Sequence, residues 1–410
     1  MQPPTQLLII NCYPIMRLLE IIPSISLVYG GPSQMVLELS KALAAKGIEL
    51  TVLTTNANGD TGQPPLDVPL DRPVEQHGYK IRYFPCSPFR RYKFSLGLLQ
   101  WLAQHAREFD IAHIHALFSP VSSFAALICR QQKLPYILRP LGTIDPADLR
   151  KKKQLKKIYT FLLEKHNIAG AAAIHFTSEE EARISERFGA KTRDLIIPLG
   201  ANLPETTGEN DPEFQELKKQ LHPNQPIILF MSRIEPKKGL DLLLPALEKL
   251  AGENIGFQFV LAGSNPQDPG YETKIRQQIE SSTLATRTLI TGFVTGGVKA
   301  GLLNAADIFA LPSYYENFGI AVAEAMAAGT PVVISDRVHI WPEVRGAEAG
   351  WVASCEVEAI ASAIKNALSN DDERKRRGEK GREFAKNNYS WDAIATQIIE
   401  AYRHLLMDNE

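Results

Sequence analysis

Two carboxylates and two cations, each pair at a defined spacing, mark where chemistry would sit in this chain. Glu316 and Glu324 lie in the stretch Pro312-Ser-Tyr-Tyr-Glu-Asn-Phe-Gly-Ile-Ala-Val-Ala-Glu, which runs on to Gly329-Thr-Pro331. The stretch follows an apolar run and opens a helix that Gly329 and Pro331 should end. Glu316 falls before the first turn and Glu324 about a turn and a half inside it, so the two can accept hydrogen bonds from two hydroxyl clusters of one extended ligand. Between them, the N–H groups of Asn317, Phe318 and Gly319 form an anion-binding helix tip. Taken alone, the segment equally fits a Glu316 that caps the helix and a Glu324 that is solvated on its surface.

A second segment weighs against that bland reading. Met231-Ser-Arg233-Ile-Glu-Pro-Lys237-Lys238-Gly239-Leu-Asp241 also sits between an apolar run and a helix, at the edge where open α/β sheets bind ligands. Arg233 offers a planar fork and Lys238 a point charge, a combination suited to a diphosphate. A lone Arg-x4-Lys is ordinarily a pair of solvated cations. Here the cations share a sheet edge with the carboxylates.

His113 and His115 are two apart, so on a strand they share a face, which is also metal-ligand spacing. Neither an HExxH helix nor a cysteine cluster is there to complete a site, and no metal or other cofactor is expected. The plain alternative is a hydrogen-bonded histidine at a strand end. D-x-D, GxGxxG and GxxxxGK[ST] are all missing, so charge on any departing phosphate must be met by Arg233, Lys238 and helix N–H groups.

The elements that must position these residues alternate. Leu7–Asn11, Ile48–Thr54, Ile111–His115, Pro135–Leu138 and Ala172–Phe176 read as strands. Ser33–Lys46, Leu96–Arg107, Val121–Gln131 and Leu149–Asn167 read as helices, the first with Ser33 as N-cap and Gly47 just past its end. Residues Ala201–Gln225 are polar, without a periodic apolar face, and read as a connector. Strands Ile227–Ser232, Phe257–Ala262, Thr288–Thr291, Ile308–Leu311 and Val332–Ser335 follow. Helices Gly239–Ala251, Tyr271–Ser281, Val298–Asn304 and Ile320–Ala328 lie among them. Continuous apolar strands alternating with helices mean α/β architecture: two doubly wound parallel sheets in tandem with a cleft between them.

Composition agrees. A chain of 410 residues with 44% hydrophobic and 22% charged residues suits two globular domains. A net charge of −1 gives no reason to favour nucleic acid. Cys12, Cys86, Cys129 and Cys355 are scattered, as in a reducing compartment. The apolar run at Leu7–Ile10 is too short to span a bilayer, so a cytoplasmic protein is expected. The basic run Arg150–Lys157, followed by Ile158, Phe161 and Leu162, reads either as a solvated face or as a peripheral contact with an anionic membrane. The mixed run Asp371–Arg382 reads as a solvated helix.

The E-x7-E pair with its Asn-Phe-Gly insert and the Ser-Arg-x3-Lys-Lys-Gly loop resemble family 4 of the glycosyltransferases, which is built on the GT-B fold. Gly30-Gly31, Asp110-Ile-Ala-His-Ile-His115, Ile197-Pro-Leu-Gly200, Ala262-Gly263, Thr291-Gly-Phe-Val294, Ala306-Asp-Ile-Phe and Tyr389-Ser-Trp391 follow the same pattern in order.

The resemblance implies two Rossmann-like domains. Residues 1–200 would receive the acceptor, joined by a closing helix over 390–410 that packs back on them, and residues 201–389 would hold the donor. It implies that Arg233 and Lys238 hold the donor diphosphate, that Glu316 and the backbone of Asn317, Phe318 and Gly319 hold the donor sugar, and that Glu324 takes the ribose hydroxyls. Gly30, Gly31 and Gly263 would approach the phosphates, Phe293 and Val294 would face the base, and His115 would reach the sugar near the reacting centre.

The activity so implied is metal-independent hexosyl transfer with retention, from a nucleotide sugar (UDP-glucose, with GDP-mannose the competitor) to a hydroxyl of a glycan, glycolipid or sugar phosphate. N-terminal loops Tyr13–Gly31 and Arg139–Asp148 would meet the acceptor, with Arg17, Arg90, Arg91 and Arg139 available for a phosphate. A sucrose-phosphate-synthase-like enzyme, a nucleotide-sugar 2-epimerase and a non-catalytic sugar-nucleotide sensor are the alternatives.

Overall fold

The computed structural model describes residues 15–408 apart from 61–62, 88–91, 150–156, 202–205 and 267. The expected strand Leu7–Asn11, Arg90 and Arg91, and all of the basic run except Lys157 lie outside the described residues.

Two Rossmann-like sheets carry the chain. The first holds β1 (Arg17–Ser24), β2 (Glu49–Thr55), β3 (Val74–Gln76), β4 (Tyr79–Phe84), β5 (Ile111–His115), β6 (Tyr136–Arg139), β7 (Ala173–Phe176) and β8 (Asp194–Ile196). Their order is β3-β4-β2-β1-β5-β6-β7-β8. Every pairing is parallel except β3 with β4. That hairpin turns at His77 and Gly78, both at positive φ, the backbone of a tight two-residue turn.

The second sheet is wholly parallel, with the order β11-β10-β9-β12-β13-β14. Its strands are β9 (Ile227–Met231), β10 (Gln258–Ala262), β11 (Thr288–Gly292), β12 (Ile308–Leu311), β13 (Val332–Ser335) and β14 (Gly350–Ala353). Helices cover both faces, so the central strands are apolar throughout; Ile228, Leu229 and Phe230 are fully buried.

Several readings change. Arg17–Ser24, expected as an acceptor loop, is a central strand of the first sheet, buried beyond Arg17. Ser33 is not the N-cap: the first helix spans Gly31–Ala45 with Gly30 capping it, and the buried Ser33 hydroxyl donates to Ser24 O at 3.4 Å. Gly47 does follow the helix end at φ +84°. The connector contains a helix, Pro212–Lys218, capped by Asp211. Its one fully buried side chain, Phe214, packs on Gly301, and a single anchor leaves no periodicity to read.

The run Asp371–Arg382 is more than a solvated face. The helix Asp371–Asn388 buries Arg374, Gly378 and Gly381, and Arg382 donates to Ala328 O at 2.7 Å. It thereby caps the C-terminal end of the helix Ile320–Ala328 that carries Glu324.

The chain passes between the domains twice, side by side. Ala201 N–H donates to Tyr389 O at 2.7 Å, and Gly200 lies flat under the Trp391 indole. The final helix, Trp391–Met407, buries Ile394, Ile398 and Tyr402 and packs on the helix Gly31–Ala45 of the first domain.

Candidate functional site

β9 delivers Arg233 and Lys238, and β12 delivers Glu316. The two loops are fastened to each other before any ligand is considered. Tyr314 N–H donates to Lys237 O at 2.8 Å. Gly239 sits at φ +74°, where an added Cβ would lie 2.1 Å from Pro312 O, so only glycine lets the two backbones meet there. Across this seam the Lys238 ammonium pairs with the Glu316 carboxylate. Lys238 is buried and Glu316 mostly so, which makes the pair a fixed element of the seam rather than a fluctuating surface contact; neither side chain lines the cavity described next.

A cavity of about 850 Å³ lies beside this seam. One wall is Arg233, Gly263, Phe293, Val294, Lys299 and Glu324; the other includes Gln34, Glu38 and Lys41 from the first domain's opening helix. Gly263, at φ +153°, approaches Ser232 so closely that an added Cβ would lie 1.9 Å from its carbonyl oxygen. Phe293 presents its ring to solvent, 75% exposed. Arg233 is half-exposed and tied to Glu235 at 2.8 Å.

Glu324 is held by Lys299 at 2.6 Å. Burial pushes its carboxyl above the usual range and Lys299 pulls it back. Lys299 comes from the helix Gly296–Ala305. A lysine on a short helix carries no signal of its long-range partner.

Gly319 caps the helix Ile320–Ala328 in the left-handed region without any side-chain cap; Val322 N–H donates back to Gly319 O at 2.8 Å, so the N–H groups ahead of it, at the very tip, are the ones a ligand can take. Gly31 faces the same tip: an added Cβ there would touch Ile320 at 3.4 Å. Gly31 therefore stands against the first residue of that helix, and Gly30 has open space around it. Phe318 is buried and packs edge-on against Tyr389 at 5.2 Å.

Three expected residues are placed elsewhere. Arg17 begins β1, at the sheet edge away from the carboxyl ends of the strands, and is bonded to Asp110 at 2.7 Å; it cannot meet an acceptor in the cleft. Arg139 is fully buried, with Nη1 against Met35 Sδ at 3.0 Å, and burial lowers its pKa to about 10. His115 does not open toward a donor sugar. Its ring is buried, with Nε2 on the Glu20 carboxylate.

Glu20 interrupts the apolar run Leu18–Ile22, and no local pattern marks it as a buried strand residue. With His113 and His115 it brings three possible metal-ligand atoms within 4.8 Å of one another. His115 Nε2 is taken by Glu20 and His113 Nδ1 by Tyr402, while Glu20 Oε1 and His115 Nδ1 are buried without a hydrogen-bond partner among the described residues. Tyr402 Oη lies 2.7 Å from His113 Nδ1, His113 Nε2 lies 3.3 Å from His175 Nδ1, and His175 Nε2 lies 2.8 Å from Ile197 O. One proton order satisfies the chain: His175 donates to Ile197 O, His113 to His175, and Tyr402 to His113. Burial, reinforced by Arg139, depresses the pKa of all three histidines, and that guanidinium also disfavours a dication beside Glu20. The group reads as a structural clamp between the final helix and the first sheet.

Residues 212–384 match the family model described as glycosyl transferases group 1, and residues 30–200 match that of a glycosyl transferase 4-like domain. The chain is 27% identical over 395 residues to a D-inositol 3-phosphate glycosyltransferase of Xylanimonas cellulosilytica, covering 91% of each chain. It is 28% identical over 401 residues to a phosphatidyl-myo-inositol mannosyltransferase of Mycobacterium leprae, covering 94% of this chain and 96% of the relative. Among solved structures, sucrose-phosphate synthase from Thermosynechococcus elongatus superposes with a TM-score of 0.76 at 22% identity, over 96% of this chain and 100% of that one. Anabaena HepE in complex with UDP-glucose gives 0.71 at 18% identity, over 95% and 100%.

Proposed function

We propose that this chain, which belongs to the group 1 glycosyltransferases of GT-B fold, moves a hexose from a nucleoside diphosphate sugar to a hydroxyl acceptor, retaining anomeric configuration and using no metal. The observation that carries the reading is the Lys238–Glu316 pair set at the seam of two strand-end loops, next to a cavity walled by Arg233, Gly263 and Glu324.

In this reading Lys238 and Arg233 neutralise the diphosphate as it departs, work that needs preorganised charge rather than proton transfer. Glu316 orients the sugar, and the helix tip at Asn317–Gly319 adds N–H donors. Glu324, held in place by Lys299, receives the ribose hydroxyls. The acceptor hydroxyl enters on the face of the leaving phosphate, which takes its proton, so no separate enzyme base is called for. Domain closure over the cleft excludes water.

UDP-glucose is the first donor to test and GDP-mannose the second. The solved complex of HepE with UDP-glucose supports the former, and the name of the mannosyltransferase relative the latter. The inositol-directed names of both curated relatives support a polyol or lipid-borne acceptor; sucrose-phosphate synthase supports a sugar phosphate. One observation favours an acceptor held at a membrane: Ile158, Phe161 and Leu162 are 61%, 74% and 62% exposed on adjoining helical turns after Lys157. No helix among the described residues is long and apolar enough to cross a membrane, so such contact would be peripheral.

The deciding experiment is thermal unfolding with a panel of nucleotide sugars, followed by product analysis with the best donor. A ligand at 100 times its Kd raises stability by about 2.7 kcal/mol. Release of free nucleotide without any acceptor, with an altered sugar, would reassign the chain as an epimerase. Loss of turnover on chelation would remove metal independence.

A further inference from the structure

Asn317 lies one residue beyond Glu316, and its side chain does not turn into the donor cavity. Its Nδ2 points across the domain boundary to Thr177 Oγ1 at 3.4 Å. Thr177 follows β7 of the first domain, and its hydroxyl is already committed: Oγ1–H donates to Glu181 Oε2 at 2.7 Å, and Thr177 N–H donates to the same oxygen at 2.7 Å. A hydroxyl has one proton to give. With that proton on Glu181, the oxygen faces Asn317 Nδ2 as an acceptor; Asn317 O also lies 3.5 Å from Thr177 Oγ1, and the Asn317 side chain reaches Glu181 itself. Glu181 is buried on the short helix Glu179–Ile184, which Ser178 caps, so the carboxylate is rigidly placed to keep the Thr177 hydroxyl in this orientation.

A second contact from the first domain meets the same loop. Gly142, at φ +78°, comes so close that an added Cβ would lie 3.0 Å from Tyr315 Oη and 3.5 Å from Asn317 Oδ1. On the other side, Glu316 N–H donates to Arg337 O at 3.1 Å and Glu316 O accepts from His339 N–H at 3.0 Å, so the loop has little freedom of its own. Asn317, one peptide from Glu316, is the part of this loop that reaches the first domain.

We propose that Thr177, oriented by Glu181, is a positioning residue for transfer: it engages Asn317 across the cleft and sets the Glu316 loop in its working place only when the two domains are closed. Neither Thr177 nor Glu181 touches the reacting atoms. They act through Asn317, and they link domain closure to competence of the sugar site. This rests on the reading of Glu316 as a sugar-binding residue.

The test is a double-mutant cycle of Thr177→Val and Asn317→Ala, with Thr177→Ser as the conservative control. Two readouts are taken on the full chain. The first needs no activity: amide hydrogen exchange over 316–319, with and without UDP. Each single variant should raise exchange there about 10-fold, the double variant no more than either single, and Thr177→Ser should return protection to near wild type. The second is turnover with the donor found in the ligand panel. The kcat should fall about 10-fold, as expected for a misplaced group remote from the chemistry, while UDP affinity stays within about twofold.

Additive effects on exchange, or exchange unchanged in Thr177→Val, would overturn the proposal. So would an equal loss of UDP binding. If no nucleotide sugar binds the wild-type protein, the transferase reading fails, whereas the exchange cycle still reports on the contact itself.

Discussion

Lys238 and Glu316, 78 residues apart in the chain, form an ion pair that joins the loops after β9 and β12. Neither loop would hold its shape as well without the other. The pair turns two separate strand ends into one rigid surface carrying both charges.

Breaking this pair from either side should cost both activity and stability, in different measure. Lys238→Met and Glu316→Gln are each expected to lower transfer at least about 100-fold, because charge placed for the transition state is lost. Each should also destabilise by about 2 kcal/mol, less than the roughly 3–5 kcal/mol of a fully enclosed pair. The double variant should be no less stable than either single, since no uncompensated charge is then left behind. Denaturant unfolding of all three checks the second claim; a double variant markedly weaker than both singles would contradict it.

Lys299 is expected to govern how Glu324 titrates. Burial holds the Glu324 carboxyl above its ordinary range and Lys299 opposes that shift, so Lys299→Met should raise it further. A carboxyl raised on folding favours the native state while protonated, and that advantage is lost as pH climbs through the folded pKa. The variant should therefore match wild type near pH 4 and fall progressively behind it toward about pH 7. Melting temperatures across that window, with and without a nucleoside diphosphate, provide the measurement. Parallel curves would show that Lys299 does not control Glu324.

The buried histidines predict the opposite slope. The pKa of His175 is depressed, chiefly by burial, then by Arg139 and His113. Such a group contributes stability that is present above its unfolded pKa and lost as pH falls. Wild type should lose about 1.4 kcal/mol per pH unit from this one group below about pH 6.5. His175→Gln carries no such proton, so the stability gap between the two proteins should narrow on acidification. Comparing variant with wild type cancels the contribution of Glu20, which burial shifts the other way. A gap independent of pH between about 7 and 5 would show that His175 does not stay neutral in the folded state.

Much of the donor half was readable because local and long-range cues agree there. Ile308–Leu311, Ile320–Ala328 and Val332–Ser335 fall where expected: each apolar run is bounded by glycine, proline or a polar turn. β1 was misread because Glu20 interrupts Leu18–Ile22, while the more apolar Leu7–Ile10 competes for the same role. That glutamate is buried because His115 and Arg139 arrive from β5 and β6, which no local pattern announces. The same holds for Arg17 and Arg139, whose side chains say nothing about which end or depth of a strand they occupy. Thr177 and Lys299 carry no such signal either: Lys299 meets Glu324 25 residues on, and Thr177 meets Asn317 140 residues on.

Gly263 gives the sharpest steric prediction. It closes β10 at φ +153°, and an alanine Cβ there would sit 1.9 Å from Ser232 O, far inside any contact a real side chain makes. Neither backbone can retreat easily. Gly263 N–H donates to Gly292 O at 2.7 Å, and Ser232 N–H donates to Ala262 O at 3.1 Å, so moving either strand end breaks a ladder bond. Gly263→Ala should thus cost about 2–4 kcal/mol and push the Ser232–Arg233 loop toward the cavity. Since Arg233 leads the diphosphate side of that cavity, UDP affinity should fall about 10-fold or more even in protein that remains folded. Calorimetric titration with UDP at a temperature well below unfolding separates the two effects. Wild-type affinity in a destabilised Gly263→Ala protein would mean that the diphosphate does not rest against this strand end.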